Sequence, residues 1–372
     1  MKRTITIIIL LVTVLLGFSG CGSSDKSAGA KRETPKPKLK IVATIFPEYG
    51  WTKELLASHE KDVELTLLAK KGVDMHSYQP SAEDILKIAN SDLFIYVGGE
   101  SDKWVDKALK EGGNPKRRVL NLMKLMGNRA KVEEEVEGME KHDHHDHDKD
   151  AHAHPKKDKQ DEKHEHHDKD KHDEKHEHDK DKHDGKVHHE KPEYDEHVWL
   201  SLKNAGIVCK AIAEELAALD SKNAETYRTN YTAYSKKLAA LDAKYKEAVT
   251  KAPVKTVLFG DRFPFRYLTD DYGLQYYAAF NGCSAETEAS FATVAFLAKK
   301  MDEMKLPAVL TIEGRQHKLA QTIVENTKAK NQKVLTLNSM QSVTEEEIKK
   351  GITYLAVMEQ NLNVFQEALQ AK

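Results

Sequence analysis

"SAEDILKIANSDLFIYVGGESDKWVDKAL", residues 81–109, holds a helix, a strand and a second helix in immediate succession. Ser81 stands where a helix over Ala82–Ala89 needs its N-cap, and Asp84, three residues on, gives a weaker form of the capping box. Leu93–Val97 is a short run of apolar strand formers, and Ser101–Lys110 returns to a helical pattern. Outward from there the alternation continues. "KIVATIF" (Lys40–Phe46), "VELTLL" (Val63–Leu68) and "RVLNL" (Arg118–Leu122) read as strands, and Tyr49–Ala57 reads as a helix. Strands alternating with helices imply a parallel sheet covered by helices.

The same grammar resumes in the second half. Ser201 opens a helix with Ile207, Val208, Ile212 and Leu216 on its apolar positions, and a longer helix spans roughly Ala224 to Lys251. In the latter, Tyr227, Tyr231, Tyr234, Leu238, Leu241, Tyr245 and Val249 recur at steps of three and four, forming one core-facing stripe. At about 1.5 Å per residue this helix is on the order of 40 Å long, the height of two stacked lobes. A second strand set follows: "KTVLF" (Lys255–Phe259), "LQYYAAF" (Leu274–Phe280), "AVLTI" (Ala308–Ile312) and "KVLTL" (Lys333–Leu337). A final helix is expected over Thr344–Gln370. The fold class is α/β: two lobes, each a small parallel sheet with covering helices, joined by one long rigid helix.

In open parallel sheets ligands collect at the carboxyl ends of the strands. Past "VELTLL" comes His76, past "KTVLF" Asp261 and Arg262, past "AVLTI" Glu313 and His317, and past "KVLTL" Asn338. "DEHVWLS" sets His197 just ahead of a helix. Imidazole nitrogen with carboxylate oxygen suits a divalent transition metal. A zinc hydrolase would need a general base beside an open coordination position, and there is no H-E-x-x-H or comparable motif.

At these residues the chain resembles the zinc/manganese substrate-binding lipoproteins of ABC importers, the cluster A-I (TroA/ZnuA-like) family. "GVDMHSYQPSAEDILKIANSDLFIYVGGESDKWVDKAL" resembles the first ligand segment and "DEHVWLSLKNA" the second. "FPFRYLTDDYGL" with "CSAETEAS" is similar to the third-ligand region, and "VLTIEGRQHKLAQTI" to the next strand and helix. The likeness runs from Leu39 to the C-terminus, excepting one insert. It implies His76 and His197 as the first two metal ligands. The third slot holds Arg262, which cannot bind a cation, and Asp261 beside it is the expected substitute. The fourth slot holds Asn338, and Met75 stands where glutamate neighbours the first histidine. The expected shell is His76, His197 and Asp261, completed by water, Asn338 or Glu313. It would carry Zn2+, with Mn2+ as the alternative, and neutral imidazole ligands make affinity fall as pH drops through the histidine range.

The insert lies between the two histidine segments. Of 19 histidines, only His59, His76, His197 and His317 lie outside residues 141–190. Those inside are His142, His144, His145, His147, His152, His154, His164, His166, His167, His172, His176, His178, His183, His188 and His189. Two near-tandem units, Lys163–Glu174 and Lys175–Gly185, suggest duplication. A segment without apolar residues cannot offset the entropy of ordering, so a disordered loop over 137–192 is expected. Its imidazoles form many weak, interchangeable chelates that would raise the metal concentration beside the cleft.

The chain's 372 residues carry 58 Lys+Arg against 60 Asp+Glu, and the net charge of −2 gives no hint of nucleic-acid binding. Met1–Arg3 is basic, Thr4–Leu16 is apolar but too short to span a bilayer, and "FSGC" ends at Cys21. Residues 1–20 thus read as a secretory signal, and the stretch resembles a lipoprotein acylation site. Residues 21–38 form a Ser-, Gly-, Lys- and Pro-rich tether, 39–200 the N-terminal lobe, 201–251 the helical segment and 252–372 the C-terminal lobe. Cys209 and Cys283 could pair in an exported protein, or Cys209 could be a buried free thiol. The resemblance implies an extracytoplasmic monomer, lipid-anchored to the bacterial cell membrane, that hands metal to an ABC permease and its ATPase. It binds and does not catalyse. The alternative outside that class is a surface metal sink or adhesin that meets no permease.

Overall fold

The computed structural model describes residues 38–140, 193–284, 288–314 and 317–371. The signal segment, Cys21, the tether and the histidines of the insert lie outside the described residues. Lys38–Lys372 forms one compact unit.

The first half contains β1 (Leu39–Ala43), α1 (Phe46–Leu56), β2 (Val63–Leu67), α2 (Ala82–Ala89), β3 (Leu93–Tyr96), α3 (Lys103–Lys110), β4 (Arg118–Asn121) and the short α4 (Leu122–Met126). Its strands pair in parallel in the order β2-β1-β3-β4. Ser81 caps α2 as the sequence predicts, accepting from the Asp84 amide while the Asp84 carboxylate accepts from Ser81. Then come α5 (Leu202–Leu219) and α6 (Ala224–Lys251). The second sheet uses β5 (Thr256–Phe263), β6 (Gln275–Asn281), β7 (Ala308–Ile312) and β8 (Lys333–Leu337), with α7 (Arg266–Tyr272), α8 (Phe291–Met304) and α9 (Lys318–Glu325). It repeats the same parallel pattern, β6-β5-β7-β8. Each lobe therefore has a switch point where connections depart to opposite sides, the place where α/β sheets open a crevice.

The long helix α6 spans both lobes. Near its start Asn230 Nδ2 donates to Leu55 O at the end of α1, and near its finish the Tyr245 hydroxyl donates to Met358 O in α11 (Tyr354–Ala368). The stripe from Tyr227 to Val249 is buried at Tyr227, Tyr234, Leu238, Leu241, Tyr245 and Val249. One apolar core runs from β1 through α5 and α6 to β8, so hinge opening by separation of the lobes would expose a continuous packed interior. Trp199 reinforces the junction: its indole donates to Ser339 O, and its own carbonyl accepts from the Tyr354 hydroxyl.

The structure departs from expectation at three elements. The helix expected from Tyr49 starts at Phe46, with Pro47 in the first turn, where its missing N–H costs nothing. The single C-terminal helix is two, α10 (Glu345–Lys349) and α11, separated at Gly351, whose φ of +84° a helix cannot contain. Most consequential, β5 runs on to Phe263, with a register shift against β6 between Phe259 and Arg262. Asp261 and Arg262 are strand residues, not a loop past the strand.

Candidate metal centre

His76 lies in a 3₁₀ turn (Met75–Ser77) beyond β2, capped by Asp74, whose Oδ1 accepts from the His76 amide at 3.0 Å. His197 heads a second 3₁₀ turn (Val198–Leu200) leading into α5, and Asp195 Oδ1 accepts from its amide at 2.8 Å. Both turns tie a histidine to an acidic residue two positions earlier. The fold then brings the two rings together: His76 Nε2 and His197 Nε2 are 3.1 Å apart. His197 is wholly buried, and the His76 side chain is 9% exposed.

The outer ring nitrogens set the tautomers. Asp195 Oδ1 lies 2.9 Å from His197 Nδ1 and can only accept while ionised, so Nδ1 carries the proton and Nε2 presents a lone pair. His76 Nδ1 lies 2.7 Å from Ser101 Oγ, in the loop after β3. That loop is fixed by Glu196, whose Oε1 accepts from the Ser101 amide at 2.9 Å. Gly99 makes the approach possible, because a Cβ there would lie 2.3 Å from Glu196 Oε1. Burial, then the neighbouring His197 and Arg262, push the His76 pKa down to about 3 against the opposing pull of Asp74. His76 is therefore neutral throughout the ordinary histidine range.

Among the described residues, one group of three metal-capable side chains converges: His76, His197 and Cys283, with donor atoms all within 4.8 Å of one another. Cys283 follows β6, two residues past its end. Gly282 lets the chain pass the His197 ring, since a Cβ there would meet Cε1 at 2.8 Å and Nδ1 at 3.0 Å. Cys209 is buried in α5, and neither thiol is in a disulfide. Burial, then Glu133, Glu196 and Asp195, raise the Cys283 thiol pKa well above its ordinary value. Burial likewise raises the carboxyls of Glu133 and Glu196, and Glu133 Oε1 and Glu196 Oε2 are buried without a hydrogen-bond partner. Two imidazoles, a thiol and three nearby carboxyls make a pocket whose donor set suits a transition-metal cation.

The other expected ligands do not join this group. Asp261 Oδ1 accepts from the Arg262 amide at 2.8 Å and Oδ2 from the Ile312 amide at 3.4 Å, an orientation that follows from β5 continuing as strand beside β7. Glu313 ties β7 to the loop after β8, accepting from the Ser339 amide at 2.7 Å and its hydroxyl at 2.8 Å. Asn338 accepts from the Met340 amide at 2.8 Å and bonds through its backbone to Asn361. All three are engaged in holding the C-terminal lobe together. Arg262 spans the crevice instead. Its Nη2 pairs with Asp74 Oδ2, two residues before His76, and its Nη1 donates to Ser284 O, next to Cys283, at 3.3 Å. Burial works to raise the Asp74 carboxyl, but Arg262 outweighs it and holds that group below its ordinary value.

The described ends of the insert enter beside this crevice. Val132 and Tyr194 form an antiparallel bridge, and the Glu133 amide donates to Glu193 O at 2.9 Å. Further on, the Glu140 amide donates to Ala279 O on β6 at 3.0 Å.

A family model described as "Zinc-uptake complex component A periplasmic" (ZnuA) matches residues 41–368. The chain belongs to the ZnuA family. That family comprises solute-binding proteins and not enzymes. The zinc-binding lipoprotein AdcA of Streptococcus pneumoniae is 30% identical over 363 residues, covering 96% of this chain and 60% of AdcA. The chain thus spans about three-fifths of the length of that relative. The high-affinity zinc uptake system protein ZnuA of Bacillus subtilis is 29% identical over 363 residues, covering 98% and 97% of the two chains. Among solved structures, the Zn(II)-bound ZnuA-like domain of S. pneumoniae AdcA superposes with a TM-score of 0.61 at 26% identity, covering 90% of this chain and 99% of that domain. No described helix is long and apolar enough to cross a membrane.

Proposed function

We propose that this chain is the extracytoplasmic receptor of a zinc importer: it captures Zn2+ between His76 and His197 and passes it to an ABC permease driven by its ATPase. The observation that carries the reading is the 3.1 Å between two buried Nε2 atoms from opposite flanks of the insert. Two Zn–N bonds of about 2.0–2.1 Å at a tetrahedral angle set their nitrogens roughly 3.3 Å apart, so the pair needs almost no movement to hold the ion. Asp195 and Ser101 behind the rings supply the outer-shell partners that metal-bound imidazole requires.

Acylation at Cys21 would tether the receptor at the outer face of the cytoplasmic membrane. The histidine-rich insert gathers metal for the crevice, a role supported by the anchoring of residues 133 and 140 near it. Competition titration of the full chain tests the reading. One tight Zn2+ equivalent is expected, bound in preference to Mn2+, and His76→Ala with His197→Ala removes it. Cells carrying the double variant should take up limiting zinc no faster than cells without the permease. Unchanged uptake would sink the receptor assignment, and uptake independent of the permease would favour a metal sink.

A further inference from the structure

Asp261, the third donor the sequence offers, is not in the group of described side chains that converges on the imidazole pair. Asp261 is turned into the sheet by its bonds to Arg262 and Ile312, and Arg262 presents only N–H donors. What faces the imidazole pair is the Cys283 sulfur. We propose that Cys283 joins His76 and His197 in a donor set of two imidazole nitrogens and one sulfur, and that its thiolate makes the site select thiophilic cations such as Zn2+ over Mn2+. The proposal rests on the reading of the His76–His197 crevice as the metal site and deepens it by naming what chooses the cargo.

Three features of the structure hold the sulfur in place. Gly282 removes the side chain that would otherwise strike the His197 ring, so the chain can carry residue 283 up to the pair. Arg262 ties the loop on either side of the crevice, through Asp74 next to His76 and through Ser284 O next to Cys283. The Glu133 carboxylate lies close enough to act on the Cys283 thiol, and its Oε2 is held by Asn281 Nδ2 at 2.9 Å. Binding is then a balanced exchange: the S–H bond breaks, a metal–sulfur bond forms, and the proton leaves through the neighbouring carboxylate to solvent. Mn2+ prefers oxygen donors and gains little from a thiolate, whereas Zn2+ takes thiolate and imidazole together in four-coordinate sites.

The full chain loaded with one equivalent of Co2+ reports the ligand directly. A thiolate-to-Co2+ charge-transfer band in the near ultraviolet is expected. It should vanish in Cys283→Ser and persist in Cys209→Ser and Cys21→Ser. Absence of the band from wild-type protein whose bound Co2+ depends on His76 and His197, or its survival in Cys283→Ser, would overturn the proposal and leave the receptor reading standing. Retention of the tight ion by the double His76→Ala, His197→Ala variant would instead sink the receptor reading. The wild-type spectrum needs no substitution, so it decides the sulfur's role even if Cys283→Ser folds poorly. In competition titrations Cys283→Ser should lose Zn2+ affinity by at least about tenfold, the smallest loss usual for outer-shell partners alone, with a smaller change for Mn2+. An unchanged Zn2+-to-Mn2+ ratio would refute the selectivity.

Discussion

That His76 and His197 would come together was legible because each sits in a long motif and past a strand or before a helix, where ligands gather. That Cys283 would join them was not, although the same rule applied to β6 would have brought it into view: "LQYYAAF" is followed at once by Asn281, Gly282 and Cys283. Asp261 stands outside that group for a physical reason. Gly260 and two charged residues look like a loop, yet β5 continues through them: Arg262 pairs with Phe280 beyond a register shift, and Asp261 Oδ2 accepts from the Ile312 amide of β7. The residue that most directly controls ligand quality is Asp195. Asp195→Asn keeps an oxygen for the His197 amide but no longer compels a proton onto Nδ1, so part of the population turns the wrong tautomer toward the metal. Zn2+ affinity measured by competition should fall about 10- to 100-fold, with the metal-free melting temperature nearly unchanged. An unaltered affinity would mean that the carboxylate does not orient the ring.

At the scale of elements, the alternation of strand and helix carried the α/β assignment, and the capping residues fixed some boundaries, as Ser81 does for α2. What local pattern could not give was the burial of polar groups at element starts. Glu48, in the first turn of α1, is fully buried, with Oε2 accepting from the Thr44 amide at 2.8 Å, the Thr44 hydroxyl at 3.0 Å and the Ile45 amide at 3.2 Å. Burial, then the charge of Asp102, raise its pKa to about 8 from an ordinary 4.5. The folded protein therefore keeps a proton that the unfolded chain has released, and by linkage stability is lost as pH rises across that interval. Glu48→Gln keeps the acceptor oxygen and cannot ionise. Its melting temperature should decline less than that of wild type as pH is raised through about 8, followed by calorimetry on metal-free protein. Parallel declines would show that Glu48 is ionised in the fold without cost.

For the whole molecule, the long helix and the continuous core bind the lobes into one body, and the crevice between them is bridged by Arg262 from β5 to the His76 turn. Such a body has little freedom to open wide, so on the proposed function the arrival of metal would depend on what lies at the mouth. The chain on the N-terminal side of the insert is pinned along the C-terminal lobe, through Glu140 to Ala279, and the chain on the far side returns at Glu193, four residues before His197. Under the proposed gathering role, the length of the loop sets the effective concentration of its imidazoles at the crevice. On that reading each weak chelate would release its ion readily, and the His76–His197 pair would retain it. Deleting residues 141–190 should therefore leave one tight Zn2+ equivalent with the same Kd, remove the weaker equivalents seen by calorimetric titration, and slow capture when zinc is scarce. A deletion that abolished the tight equivalent would mean that insert histidines enter the primary shell, and the crevice could no longer be regarded as complete within residues 38–140 and 193–284.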